Sequence, residues 1–158
     1  LDHRLAVFGA GVVEAGDGMA VEPGNFYIIP PGTYLSVEDG TLHVSPPLAP
    51  HGARLPFDHL LLSLAHDYGR RAACVVLSGT GGDGSIGLKA IKEAGGLIIA
   101  QTPEQAEYDG MPRSAMATMA PQGRAVVIAG HRHMVNLTAP DAVTAEMKRW
   151  LATEETPE

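Results

Sequence analysis

Residues 75–85, Val-Val-Leu-Ser-Gly-Thr-Gly-Gly-Asp-Gly-Ser, carry an apolar strand into a glycine-rich turn that holds a single carboxylate, Asp83. Four glycines among residues 79–84 let the backbone reverse at the carboxyl end of that strand. In open α/β sheets ligands and catalytic groups collect at that edge. Two roles are open to Asp83. It can orient a histidine and stabilise the imidazolium in a Ser-His-Asp arrangement. Alternatively, it caps the helix expected from Ser85 through that helix's free N–H groups. The turn lacks both the lysine of a P-loop and the spacing of a dinucleotide fingerprint, which disfavours a phosphate cradle.

A second loop, Glu107-Tyr108-Asp109-Gly110-Met111-Pro112-Arg113, leads into a helix with Pro112 expected at the first helical position, where its missing N–H costs nothing. It is only a helix start unless it lies beside residues 79–84. Two loops that both follow parallel strands at one sheet edge can meet in that way. Ser78, Ser85 and Ser114 are the nearest hydroxyls, but none lies in a Gly-x-Ser-x-Gly elbow or beside an evident histidine base. His131 and His133 would project to one side of an extended segment, yet two histidines flanking Arg132 do not make a zinc site. His59 and His66, seven apart on an expected helix, read as a solvated or half-buried face. Cys74, the single cysteine, falls in an apolar run and reads as a buried, inert thiol. Neither a metal nor an organic cofactor is expected.

The elements that must position these groups follow from periodicity. Leu1, Leu5 and Phe8 have the spacing of the last turns of a helix. Residues 12–15 and 26–29 read as strands, the second stopped by Pro30-Pro31-Gly32. Residues 34–37 and 41–44 flank Asp39-Gly40, the signal of a two-residue hairpin turn. The period then changes, because Phe57, Leu60, Leu61 and Leu64 recur at helical spacing, with Asp58 near the start and Gly69 near the end. Beyond it, strands at 73–77, 97–100 and 125–128 alternate with helices at about 85–94, 112–119 and 140–151. That alternation predicts a doubly wound α/β fold, mainly a parallel sheet, with the antiparallel hairpin inserted.

A length of 158 residues suits one domain, expected over 1–152, with residues 153–158 as a frayed acidic tail. The net charge of −7 and the absence of a basic cluster disfavour nucleic acid and acidic membranes as partners. No segment approaches the roughly 18 apolar residues of a membrane span, and no signal peptide is evident, so a cytoplasmic protein is expected.

Taken together, the segments Glu14 to Gly18, Pro23-Gly24, Tyr27 to Pro30, Phe57-Asp58, Leu77 to Gly84, Ile99 to Gln101 and Gly110 to Arg113 give the chain a resemblance to one family. It resembles the carboxyl-terminal catalytic domain of the chemotaxis CheB family over roughly residues 12 to 128. That family demethylates glutamyl methyl esters on chemoreceptors and deamidates certain receptor glutamines. The resemblance implies that Asp83 is the aspartate of a Ser-His-Asp triad. It also implies that Thr80, where the family often has a methionine, lines the cleft with Gly81, Gly82, Gly110, Met111, Pro112 and Arg113. Its partners would be methylated chemoreceptor cytoplasmic helices, with a receiver domain or self-association as further contacts. In the family the serine and histidine lie well upstream of the segment matching Glu14 to Gly18. The expectation is therefore of a domain incomplete at its amino terminus and catalytically silent alone, His3 being a poor match for the base. The alternative is a non-catalytic, CheB-like binding or regulatory module.

Overall fold

A computed structural model describes residues 11–47, 50, 54–119, 145 and 148. Strand β1 (Gly11–Glu14) pairs in parallel with β3 (Asn25–Ile28), Val13 opposite Tyr27. Between them β2 (Met19–Ala20), a strand too short for any period to reveal, pairs antiparallel with β5 (Thr41–Ser45). β5 in turn forms a hairpin with β4 (Tyr34–Glu38). The turn signal is borne out: Asp39 and Gly40 have φ of +49° and +71°, the left-handed conformation that a tight two-residue hairpin requires.

Helix α1 (Pro56–Tyr68) covers the hairpin. Ser63 Oγ accepts the N–H of Val37, and the carboxylate of Asp67 accepts the N–H groups of both turn residues, Asp39 and Gly40. The His59 ring stacks on Tyr34, while His66 is exposed. The two histidines therefore serve packing and solvent, as the half-buried reading supposed.

The second half is built from strand, helix and strand. β6 (Ala73–Val76) and β7 (Leu97–Ala100) pair in parallel, Cys74 opposite Ile98, and helix α2 (Ser85–Glu93) makes the crossover. Helix α3 (Gly110–Met119) follows a 3₁₀ turn at Pro103–Gln105. All four residues of β7 are buried, as expected of a strand covered on both faces. Leu61, Cys74, Val76, Leu88, Ile91, Ile98, Ala100, Ala115 and Met119 form one core; Ala15, Leu35, Val37 and Leu42 form a smaller one. Leu64 and Tyr68 of α1 pack against both, so this helix joins the hairpin to the α/β half. Each fully buried Leu or Ile contributes about 1.5–3 kcal/mol, enough to fix α1 firmly.

The class is α/β, as the alternation required. Among the described residues the ladders form three separate small sheets, two parallel and one antiparallel, instead of one continuous parallel sheet. Helix α3 also corrects an expectation. It begins at Gly110, and Arg113 N–H donates to Asp109 O, so Pro112 is the third helical residue and not the first. Proline is tolerated there because that N–H has no acceptor within the helix in any case. The expected helix before Gly9, the strand at 125–128 and the tail lie outside the described residues. Of the expected helix at 140–151, Ala145 and Lys148 are helical.

Candidate active site around Asp83

The turn after β6 brings together the loops that the sequence singled out. Gly79 N–H donates to Tyr108 O at 3.0 Å, and Met111 N–H donates to Gly79 O at 3.0 Å. The loop before α3 is thereby laced to the glycine turn. A Cβ on Gly110 would stand 3.3 Å from both N and O of Gly81, so glycine there eases the close approach of the two loops. Thr80, Gly81, Gly82 and Arg113 are exposed, Asp83, Gly110 and Met111 half-buried, and Pro112 buried beneath them. Arg113 Nε donates to Asp109 Oδ2 at 2.7 Å, and this bond, followed by the charge of Asp109, raises the guanidinium's pKa. The expected cleft residues therefore form one edge of the molecule.

Asp83 does something that neither reading anticipated. It does not cap α2, whose N-cap is Gly84, with φ of +97° and no side chain. The carboxylate turns instead toward α1, accepting Phe57 N–H on Oδ2 at 3.0 Å and Asp58 N–H on Oδ1 at 2.9 Å. Because Leu55 accepts the first helical bond of α1 and Pro56 has no N–H, these are the first two donors that the helix start offers. A carboxylate there also meets the favourable end of the helix dipole. Each oxygen takes one such bond, and an ionised carboxylate has about four acceptor positions. Capacity therefore remains for a further N–H donor on the half-buried open side. Among the described residues no histidine is joined to it; His3, His51, His131 and His133 lie outside them.

A second carboxylate completes the arrangement. Asp58, 4% exposed, directs Oδ1 at Gly87 N–H in the first turn of α2, at 2.6 Å. The aspartate before α2 caps α1, and the aspartate inside α1 caps α2. In sequence Asp58 carries the signature of an acidic first helical turn and a place in one segment of the family resemblance, but nothing that marks it as a cap of α2. Gln101 was equally hidden. It is 2% exposed, accepts Ser78 N–H on Oε1 at 2.8 Å and donates from Nε2 to Gln105 O at 3.2 Å, tying the ends of β6 and β7. Beyond its place in the resemblance segment Ile99 to Gln101, its sequence signal is an amide directly after four apolar strand residues.

Two of the expected hydroxyls are occupied structurally. Ser78 Oγ accepts Tyr108 N–H and Ser85 Oγ donates to Gly82 O, whereas at Ser114 it is the main-chain carbonyl, not the hydroxyl, that accepts Thr118 Oγ1–H. Burial pushes the Cys74 thiol up to about 12, consistent with an unreactive core residue. Among the described residues no group of three or more His, Cys, Asp or Glu side chains could hold a metal ion.

A strand, a glycine turn presenting one half-buried carboxylate, and a crossing helix meet at this edge. Comparison with known proteins decides which family built it: the CheB methylesterase family model matches residues 6–129. The chain belongs to the CheB methylesterase family. The match extends a few residues beyond the resemblance read from the sequence. An uncharacterized 104.1 kDa protein of Rhodobacter capsulatus is 46% identical over 110 residues, 68% of this chain and 11% of that protein. The protein-glutamate methylesterase/protein-glutamine glutaminase 1 of Myxococcus xanthus is 40% identical over 68% of this chain and 32% of its own length. The CheB methylesterase catalytic domain of Thermotoga maritima superposes with a TM-score of 0.62 at 30% identity, covering 72% of this chain and 61% of that one. The chain thus spans between 11% and 37% of the length of the curated relatives it matches. Among the described residues no helix is long and apolar enough to cross a membrane.

Proposed function

We propose that this CheB-family chain contributes the acidic member of a serine-hydrolase triad to a protein-glutamate methylesterase and glutamine deamidase acting on chemoreceptors. The observation that carries this reading is Asp83, held by two backbone N–H groups at the carboxyl end of β6 with acceptor capacity to spare. A carboxylate so held can take the Nδ1–H of a histidine, fix its tautomer and stabilise the imidazolium. The histidine would accept the proton of a serine as the serine attacks the glutamyl ester carbonyl. Methanol would leave with that proton, and water would release glutamate from the acyl-serine; with glutamine the leaving group is ammonia. Backbone N–H groups would hold the oxyanion. The receptor helix would pass the edge formed by Thr80, Gly81, Gly82 and residues 110–113.

By the family pattern the serine and histidine belong upstream of Glu14, at positions that residues 1–13 do not supply, and this chain alone should release no methanol. A receiver domain, or a second copy, would be the regulatory or covering partner, and the work would be cytoplasmic. One observation favours the second reading, a non-catalytic binding module: both oxygens of Asp83 already serve α1, so the residue has a structural use without catalysis.

Methanol release from methylated receptor separates the two. The chain would be assayed as it stands, with Asp83→Asn, and extended upstream through the serine and histidine segments. Turnover by the extended protein alone, abolished by Asp83→Asn, supports the triad. Turnover by the short chain, or an extended protein indifferent to Asp83→Asn, refutes it.

A further inference from the structure

Asp83 sits on a turn whose glycines at 79, 81, 82 and 84 give it little stiffness of its own. Its direction must come from outside the turn. Both N–H groups that hold it belong to the start of α1, one of them to Asp58 itself. Asp58 then grips the other side. Its buried side chain binds Gly87 N–H at 2.6 Å, four residues beyond Asp83. One residue therefore closes a ring around residues 83–87, its main chain on the carboxylate and its side chain on the helix that follows. The two helices meet closely enough for this because Gly87 has no side chain; a Cβ there would stand 3.2 Å from Asp58 O and run into Leu61.

We infer that Asp58 is the positioning residue for Asp83: its bond to Gly87 holds the start of α1 against α2, and so aims the carboxylate. The inference rests on the proposal that Asp83 serves a triad, but its structural half does not. Catalytic groups lose rate steeply with misplacement, roughly a hundredfold for about 1 Å. A lost Asp58 bond should therefore be visible in turnover even where the fold survives. Asparagine at 58 keeps an oxygen that can accept from Gly87, whereas alanine keeps none.

The test uses Asp58→Ala, Asp58→Asn and Asp83→Asn. In the chain itself, amide NMR would follow the protons of Phe57 and residue 58, whose low-field positions report the carboxylate bonds. Asp58→Ala should move both upfield and speed their exchange, with Asp58→Asn largely restoring them. In the upstream-extended protein, Asp58→Ala should lower kcat roughly ten- to a hundredfold with KM within about twofold, and Asp58→Asn should recover most of it. Unmoved Phe57 and residue-58 amides in Asp58→Ala would overturn the inference, as would equal loss of turnover in the alanine and asparagine variants. If the amides move as expected but Asp83→Asn leaves turnover intact, the triad reading has failed and the positioning role for catalysis falls with it.

Discussion

Replacing Asp83 by alanine removes both acceptors from the first turn of α1, leaving Phe57 and Asp58 N–H without protein partners. Loss of a side-chain cap costs about 0.5–2 kcal/mol. A carboxylate near the helix dipole adds about 0.3–1 kcal/mol, the lower part of that range applying to a half-exposed group. Water can reach the site, so the exposed N–H groups are partly recompensed and the sum comes to roughly 2 kcal/mol. At about 2–4 °C per kcal/mol for a domain of this size, the midpoint of thermal unfolding should fall by roughly 4–8 °C. Asparagine retains one acceptor oxygen and turns an NH₂ toward the other donor, so Asp83→Asn should lie between alanine and wild type. Calorimetry on the three proteins, with amide exchange at Phe57, provides the assay. An alanine variant melting within about 1 °C of wild type would refute the cross-capping geometry. A drop confined to the asparagine variant would refute the assignment of acceptors.

Other perturbations have equally definite outcomes. Gly87→Ala places a methyl group against Leu61 and Asp58 O, and overpacking of this kind should cost about 1–3 kcal/mol in a denaturant titration; a neutral result would mean that α1 and α2 are farther apart. Gln101→Leu leaves Ser78 N–H and Gln105 O without their amide partner, which should cost about 1–3 kcal/mol and loosen the turn at 79–84, seen as faster amide exchange at Ser78. Cys74 should resist alkylation at pH 8 until the protein unfolds; rapid labelling of the native protein would contradict its burial. Its folded pKa is raised from 9.0 to about 12, so the thiol is protonated in both states below pH 9 and its contribution is intact there. Between pH 9 and about 12 only the unfolded chain ionises, and stability should fall by up to about 1.4 kcal/mol per pH unit, a slope that Cys74→Ala should remove.

Much of the fold was legible because its causes are local. A two-residue turn needs positive φ at both positions, and Asp39-Gly40 supplies it wherever the flanking strands alternate. The strand, glycine turn and helix over 73–93 were visible for the same reason: a β-branched apolar run marks the strand, and the reversal selects glycine. The start of α3 was misread by two residues because the proline rule concerns the whole uncapped first turn, not its first position alone. β2 escaped notice because two residues have no period.

The residue types of the candidate site, and the edge of the sheet on which they sit, were determined by the sequence itself: an apolar run makes the strand, and the glycines after it make the reversal that carries the carboxylate. Where that carboxylate points was decided only by tertiary structure. Its partners, Phe57 and Asp58, lie 26 and 25 residues away, and backbone N–H groups are chemically alike in every helix start, so no side chain records which one will arrive. Packing of α1 between the two cores brings that start, and no other, to Asp83, and the same packing turns Asp58 from an ordinary first-turn acid into the cap of α2.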